Sequence, residues 1–250
     1  MRRIESVNNK LVKRIASLKI KKYRDSEGLF IAEGERNVYD GAKKQVPEAV
    51  FVCDGYEGSK DYSCEVYSVS RPVFEKLSDT ENPQGILGVF KKKAIASGDI
   101  KKGNVLIFDG IADPGNAGTL MRTALAFGFN NILTDKRSVD LFSPKVVRSA
   151  MSAVFSLNIS ITESLAETIP LLKEKGFKIY CADMGGEEIG QVEFGCPAAV
   201  IVGNEANGVG KEVLKLADKT VGIPMSGDME SLNAAVAGSI LMYEVGRKKK

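Results

Sequence analysis

The chain has 250 residues, 35 Lys and Arg against 32 Asp and Glu, a formal net charge of +3 and no histidine; its length and apolar content suit one large or two modest globular domains. The missing histidine excludes every catalytic triad or general base built on imidazole, and Cys53, Cys64, Cys181 and Cys196 form no CxxC pair, so no metal site is expected. No apolar run approaches a membrane span and the opening MRRIESVNNK lacks the apolar stretch of a signal peptide, so a cytoplasmic protein without membrane contact is expected.

In chain order, the first feature is a basic block. Arg2, Arg3, Lys10, Lys13, Arg14, Lys19, Lys21, Lys22 and Arg24 stand against the single acid Glu5. Such a block suits a polyanion, or is the solvated side of an amphipathic helix that packs Leu11, Ile15 and Leu18 inward. The pattern then predicts a strand in GLFIAEG, a helix over 36–44, strands in AVFVCDG and CEVYSVS, a helix over 73–77 and a last strand GILGVF. Residues 1–93 thus form a small α/β domain, and KKKAIASGDIKKG supplies a linker at 94–103.

Residues 104–250 alternate strand and helix. Strands are expected at 105–108, 131–134, 178–182, 199–202 and 221–223, with a short one in SLNISI. Helices are expected at 117–127, 144–151, 165–175, 211–216 and at the end of the chain. This pattern predicts a mostly parallel α/β sheet. In the terminal helix Leu232, Ala235, Val236, Ser239, Ile240 and Tyr243 repeat at helical spacing, with Ser231 at the N-cap position.

Three segments set a polar or glycine-rich loop at the carboxyl end of an apolar run: VLIFDGIADPGNAGTLMRTALAFG, AAVIVGNEANGVGKEVL and TVGIPMSGDMESLNAAV. In open α/β sheets ligands collect at that end of the strands, so three such loops imply one pocket. The spacing of Gly110, Gly115 and Gly118 is not the G-x-G-x-x-G of a dinucleotide fingerprint, and no Walker pattern occurs.

At these residues the chain resembles the SpoU/TrmH family of RNA ribose 2'-O-methyltransferases. Asn116, Gly118, Arg122, Thr123 and Ala124 are spaced as in the first family motif, VGNEANGV resembles the second, and IPM followed by SLN the third. The likeness runs from about Val105 to Glu244 and departs slightly after Asn233, where Ala-Ala-Val-Ala replaces a common Val and Ser. EGERNV and NPQGILGV resemble features of the ribosomal-protein-like (L30e-like) substrate-binding domain attached to many of these enzymes.

The resemblance implies a carboxyl-terminal domain with a deep trefoil knot and parallel sheet, a smaller amino-terminal α/β domain that binds RNA, and a homodimer formed through the knotted domain. It implies S-adenosylmethionine as cofactor, with Ala182, Asp183, Met184, Gly203, Asn204, Gly208, Ile223, Met225 and Leu232 around it, and ribosomal RNA as substrate. A catalytically silent RNA-binding or ribosome-assembly factor and a tRNA methyltransferase are the alternatives. Methyl transfer from a sulfonium needs in-line geometry and an activated hydroxyl more than a strong acid.

The resemblance places catalysis on Arg122, Asn116, Glu205, Ser231 and Asn233. Arg122 is expected near a helix start, where its guanidinium can fork onto the phosphate beside the target ribose. The family role of a base for the 2'-hydroxyl sits uneasily with a group that is effectively always protonated. Asn116 is expected to orient the ribose or the first loop, Glu205 to bond Asn116 or Arg122, and Ser231 with Asn233 to hold the third loop against the first. Arg148 is expected either to reach RNA or to form a structural salt bridge.

Overall fold

In the computed structural model, which describes residues 1–58, 61–100, 102–228 and 230–247, two sheets gather the apolar runs of the chain. Each belongs to its own unit: Met1–Lys92 with Asp140–Phe155 in the first, Lys93–Val139 with Ser156 onward in the second. No helix among the described residues is long and apolar enough to cross a membrane.

The first unit holds strands β1 (Arg2–Ile4), β2 (Leu29–Glu33), β3 (Ala49–Cys53), β4 (Glu65–Val69) and β5 (Ile86–Lys91), in the order β1-β4-β3-β5-β2. Its helices are α1 (Lys10–Ser17), α2 (Lys21–Glu27), α3 (Glu35–Lys44) and α4 (Arg71–Leu77). The Asn9 side chain caps α1 by accepting from the Leu11 N–H at 2.8 Å, and Val12, Ile15 and Leu18 are buried beneath it. The segment 140–155, expected to belong with the second domain, packs here. Its apolar residues give the reason. Phe142 and Phe155 join Phe30 and Phe90 in one aromatic cluster with ring centroids 4.7–5.9 Å apart, and Val146, Val147 and Ala150 of its helix (Pro144–Ala150, sixth in the chain) are buried.

Much of the basic block is consumed internally. Arg2 pairs with Glu65, Arg3 with Glu5 and Asp54, Arg14 with Glu27 and Lys21 with Asp25, while Lys19 donates to the Ser78 carbonyl. Arg24 is a core residue: its Nε and Nη2 donate to Asp140 Oδ2 at 2.9 and 2.7 Å and its Nη1 to the Leu18 carbonyl at 2.8 Å. Arg148 likewise pairs with Asp79 at 3.0 Å, the structural one of its two expected roles.

The second unit is a six-stranded, wholly parallel sheet. Strands β6 (Asn104–Asp109), β7 (Phe129–Asp135), β8 (Asn158–Thr162), β9 (Lys178–Glu188), β10 (Ala198–Gly203) and β11 (Lys219–Gly222) lie in the order β11-β9-β10-β6-β7-β8. β6 and β10 are buried throughout, as strands covered on both faces must be. The helices are α5 (Pro114–Ala126), α7 (Leu165–Glu174), α8 (Lys211–Leu214) and α9 (Ala234–Arg247), with α6 the Pro144–Ala150 helix of the first unit. The expected linker is docked here: Ile100 is fully buried and Lys175 Nζ donates to the Gly98 and Ile100 carbonyls at 2.7 and 3.1 Å.

Three expectations for this unit are corrected. α5 begins at Pro114, three residues before 117, because Asp113 caps it by accepting from the Asn116 N–H at 2.8 Å and proline suits the first helical position. The N-cap of α9 is Asn233, whose Oδ1 accepts from the N–H groups of Ala235 and Val236 at 2.9 and 3.3 Å; Ser231 lies in the preceding loop. The buried face of α9 is Ala235, Gly238, Leu241, Met242 and Val245, whereas Leu232, Val236 and Tyr243 of the expected face are exposed. Glycine decides this: a Cβ on Gly238 would lie 2.7 Å from Leu120 Cδ2 and 2.8 Å from Val202 Cγ2, so its absence lets α9 rest closely on α5 and β10.

The Arg24 and Asp140 side chains retain only 3% and 8% of their exposure, so removing one partner strands a buried charge. Asp140→Asn is expected to lower unfolding stability by about 3–5 kcal/mol, and the apolar pair Arg24→Met with Asp140→Leu to recover most of it. Urea denaturation of both variants decides; a loss under about 1 kcal/mol in the single variant refutes the buried-pair argument.

Candidate active site

The carboxyl ends of β6, β9, β10 and β11 face one region, and the loops leaving them are tied together by side chains. Glu205, just beyond β10, accepts from the Ala112 N–H through Oε2 and from the Asp113 N–H through Oε1, both at 3.1 Å, and from Asn116 Nδ2 at 3.0 Å. Asn116 Oδ1 in turn accepts from Asn233 Nδ2 at 3.0 Å. One chain of hydrogen bonds therefore joins all three loops. Burial by itself would raise the Glu205 pKa, but the bonds from Asn116 and from the backbone of Ala112, Glu205 and Asp113 outweigh it and hold the carboxyl below its ordinary value.

The second loop is folded on itself. Asn204 and Gly208 exchange backbone bonds at 3.0 and 2.9 Å, Asn204 Oδ1 accepts from the N–H groups of Ala206 and Asn207, and its Nδ2 donates to the Gly110 carbonyl at 2.8 Å. A Cβ on Gly203 would lie 2.3 Å from the Gly208 carbonyl carbon, so only glycine permits the turn. β9 contributes a bulge in place of the strand end expected at Ala182. Its pairing with β11 jumps from Cys181↔Thr220 to Glu187↔Val221, which pushes residues 182–186 out of the ladder and into the region of the loops.

These loops enclose a cavity of about 420 Å³, within the roughly 300–1,000 Å³ usual for small-ligand sites. Ala182, Asp183, Met184, Gly203, Asn204, Gly208, Ile223, Met225 and Leu232, the residues expected around a cofactor, all line it, as do Glu205 and Ser231. Met184, Met225 and Leu232 are exposed, 65%, 37% and 37%. Apolar groups clustered at a cavity mouth fit a flat apolar ligand such as adenine, and the backbone groups of the folded loops suit its polar edge. Asn116 and Asn233 are not among the lining residues; Asn233 donates to Asn116, and Asn116 donates to Glu205 of the wall. With one bond at each end of its amide, Asn116 ties the first loop to the other two.

Arg122 is placed differently from expectation. Because α5 starts at Pro114, Arg122 is its ninth residue, too far from the first turn for the helix dipole to act on a bound anion. It is exposed, no hydrogen bond or ion pair engages it among the described residues, and it is not part of the cavity wall.

A second tie escaped the sequence reading. Asp109 and Asp135, at the ends of β6 and β7, are only 2% and 4% exposed and share Arg137, whose Nη2 and Nε donate to them at 2.5 Å each. Asp109 Oδ2 also accepts from the Gly210 N–H at 2.7 Å, and Asp135 Oδ1 from Gly110 N–H and from Ser138 N–H and Oγ–H. This cluster anchors the bases of the first two loops. The available signal was an aspartate ending each of two adjacent buried strands.

Comparison with known proteins agrees with this geometry. Residues 103–243 match the family described as SpoU rRNA Methylase, and residues 9–88 match the MRM3-like substrate binding domain. The 23S rRNA (guanosine(2553)-2'-O)-methyltransferase RlmP of Bacillus subtilis (strain 168) is 32% identical over 98% of this chain and 99% of its own. The human mitochondrial rRNA methyltransferase 3 is 29% identical over 92% of this chain and 70% of its own. Among solved structures, an AdoMet-bound rRNA methyltransferase from Sinorhizobium meliloti superposes with a TM-score of 0.87 at 28% identity, covering 99% of this chain and 98% of that one.

The lowered Glu205 pKa carries a pH signature. A carboxyl whose folded value lies below its unfolded 4.5 contributes stability that is fully present above the unfolded value and lost as pH falls through the folded one. Glu205→Gln is therefore expected to have a lower Tm than the parent at neutral pH, with the gap shrinking as acid protonates the parent's carboxyl. A gap that stays constant down to the acid unfolding limit refutes the role of the carboxylate.

Proposed function

Because the chain belongs to the SpoU rRNA methylase family, we propose that it methylates a ribose 2'-hydroxyl of ribosomal RNA with S-adenosylmethionine as donor. The observation that carries this reading is the cavity at the carboxyl ends of parallel strands, walled by three loops that Glu205, Asn116 and Asn233 hold in register. The cofactor supplies an electrophilic methyl group and is left as a neutral thioether, so the protein need provide no acid. The chain's own tasks are to hold the cofactor, to place the RNA and to polarise the hydroxyl, whose proton passes to solvent as its oxygen takes the methyl group.

For the first task we assign the cavity residues, with Ile223, Met225 and Leu232 beside the adenine and the backbone of the Gly203–Gly208 turn at its polar groups. Glu205, Asn116, Asn233 and the Asp109–Arg137–Asp135 cluster are positioning groups. Arg122 takes the RNA: an exposed guanidinium without a partner among the described residues is free to fork onto a phosphate beside the target ribose. RNA capture is assigned to the first unit, whose match to a substrate-binding domain supports it.

We further propose that two copies associate through the outer face of α9. Val236 and Tyr243 on that face are 48% and 50% exposed although its inner face is fully packed. They are exposed apolar side chains on one helix that a second copy would cover.

Two experiments test these readings. Incubated with ribosomal RNA and S-adenosylmethionine, the chain is expected to leave an alkali-resistant linkage at one nucleotide, and Arg122→Ala to lower single-turnover methyl transfer by on the order of a hundredfold while cofactor affinity and Tm hold. A methylated base in place of the ribose, or near-parental turnover of Arg122→Ala, overturns the assignment. In sedimentation velocity the parent is expected at twice the chain mass and Val236→Asp with Tyr243→Asp at the chain mass. A double variant that sediments like the parent removes α9 from the interface.

A further inference from the structure

The charged residues on the wall of the 420 Å³ cavity are, among the described residues, of one sign. Among its lining residues the charged groups are Asp183 and Glu205, and no lysine or arginine joins them. Neither carboxylate has an ion-pair partner among the described residues. Glu205 is committed to neutral donors, the Ala112 and Asp113 N–H groups and the Asn116 and Asn204 amides. Asp183, half-buried in the β9 bulge, uses Oδ1 to accept from the Gly185 N–H at 3.2 Å, and no hydrogen bond among the described residues engages Oδ2.

We infer that Asp183 makes this cavity select the sulfonium cofactor over its neutral, demethylated product. The inference rests on the cofactor reading above and adds a determinant of specificity to it. S-adenosylmethionine and S-adenosylhomocysteine share adenine, ribose and the amino-acid end, so apolar walls and backbone hydrogen bonds bind both alike. They differ by one methyl group and one fixed positive charge. An unpaired carboxylate in a partly desolvated wall acts on that charge through a distance of several ångströms and has no equivalent effect on the thioether. Without such a term the product would occupy the cavity as tightly as the donor and block the next turnover. The charge lost in the reaction is the one Asp183 attracts, so release is biased after transfer and not before it.

The test is isothermal titration of the full chain with S-adenosylmethionine, S-adenosylhomocysteine and sinefungin, an analogue that carries an ammonium group near the sulfonium position. The parent is expected to bind the two cationic ligands about tenfold more tightly than the thioether. Asp183→Asn is expected to lose about five- to tenfold in affinity for both cations and less than twofold for the thioether. Equal losses for all three ligands overturn the inference, since Asp183 would then hold a part they share, and so does the absence of any loss. The parent itself supplies a second measurement that does not depend on a variant folding. Raising salt from 50 to 500 mM is expected to narrow its preference for the cations, and a preference indifferent to salt counts against a Coulombic origin. Failure of the parent to bind any of the three overturns the cofactor reading and this inference with it, an outcome distinct from binding without charge preference.

Discussion

The side chain of Asn116 is the joint on which the site depends. Its Nδ2 donates to Glu205 and its Oδ1 accepts from Asn233, so a single amide links residues 89 and 117 positions away along the chain. A primary amide is suited to this because its donor and acceptor point apart in one plane. Aspartate there would face the Glu205 carboxylate without a proton between them, and a hydrophobe would leave Glu205 and Asn233 each short of a partner. The loops would then have to find their register one at a time, each losing its own conformational entropy. Glu205 strengthens the joint because it is charged, and bonds from neutral N–H groups to a carboxylate exceed those to a neutral acceptor.

That joint works only because the backbones beneath it come unusually close. Gly203 allows the second loop to turn against Gly208, and Gly238 lets α9 sit on α5 and β10 near enough for Asn233 to reach Asn116. The β9 bulge is a third case of the same economy of space: residues 182–186 leave the ladder and pairing resumes at Glu187, so one strand both props β11 and lines the cavity. Parallel strands make the arrangement possible. All six point their carboxyl ends the same way, and residues distant in sequence emerge beside one another.

The parallel sheet and the three loops were legible because they rest on local chemistry: buried apolar runs, glycine turns and polar groups at strand ends; the residues that line the cavity were named by the family resemblance. What was not legible depends on partners distant in sequence. Arg24 reads as one more charge in a basic block until Asp140 is placed beside it. Phe142 and Phe155 read as part of the second domain until Phe30 and Phe90 accept them. In α9 two apolar stripes of similar hydrophobicity share Ala235, and the one carrying Gly238 is buried because the missing side chain there allows close packing on Leu120 and Val202. Ser231 and Asn233 are both good caps by composition, and only the position of the first helical turn separates them. The strand expected at 178–182 runs on to Glu188 because pairing with β11 resumes at Glu187 after the bulge, a contact with residues more than thirty positions away.

Charge is distributed in the second unit according to what each surface meets. Asp109 and Asp135 are buried, and Arg137 spans them, so their charges are compensated within the scaffold. The cavity wall keeps two carboxylates and no cation, which suits a ligand that arrives positive and leaves neutral. Arg122, outside that wall and without an internal partner among the described residues, holds its guanidinium in solvent. Had it lined the cavity, it would have neutralised Asp183 or Glu205 and repelled a sulfonium; on the exposed side of α5 it does neither. If the proposed roles hold, separating the two signs lets one small site meet a cationic donor and an anionic acceptor without the protein's own charges pairing off first.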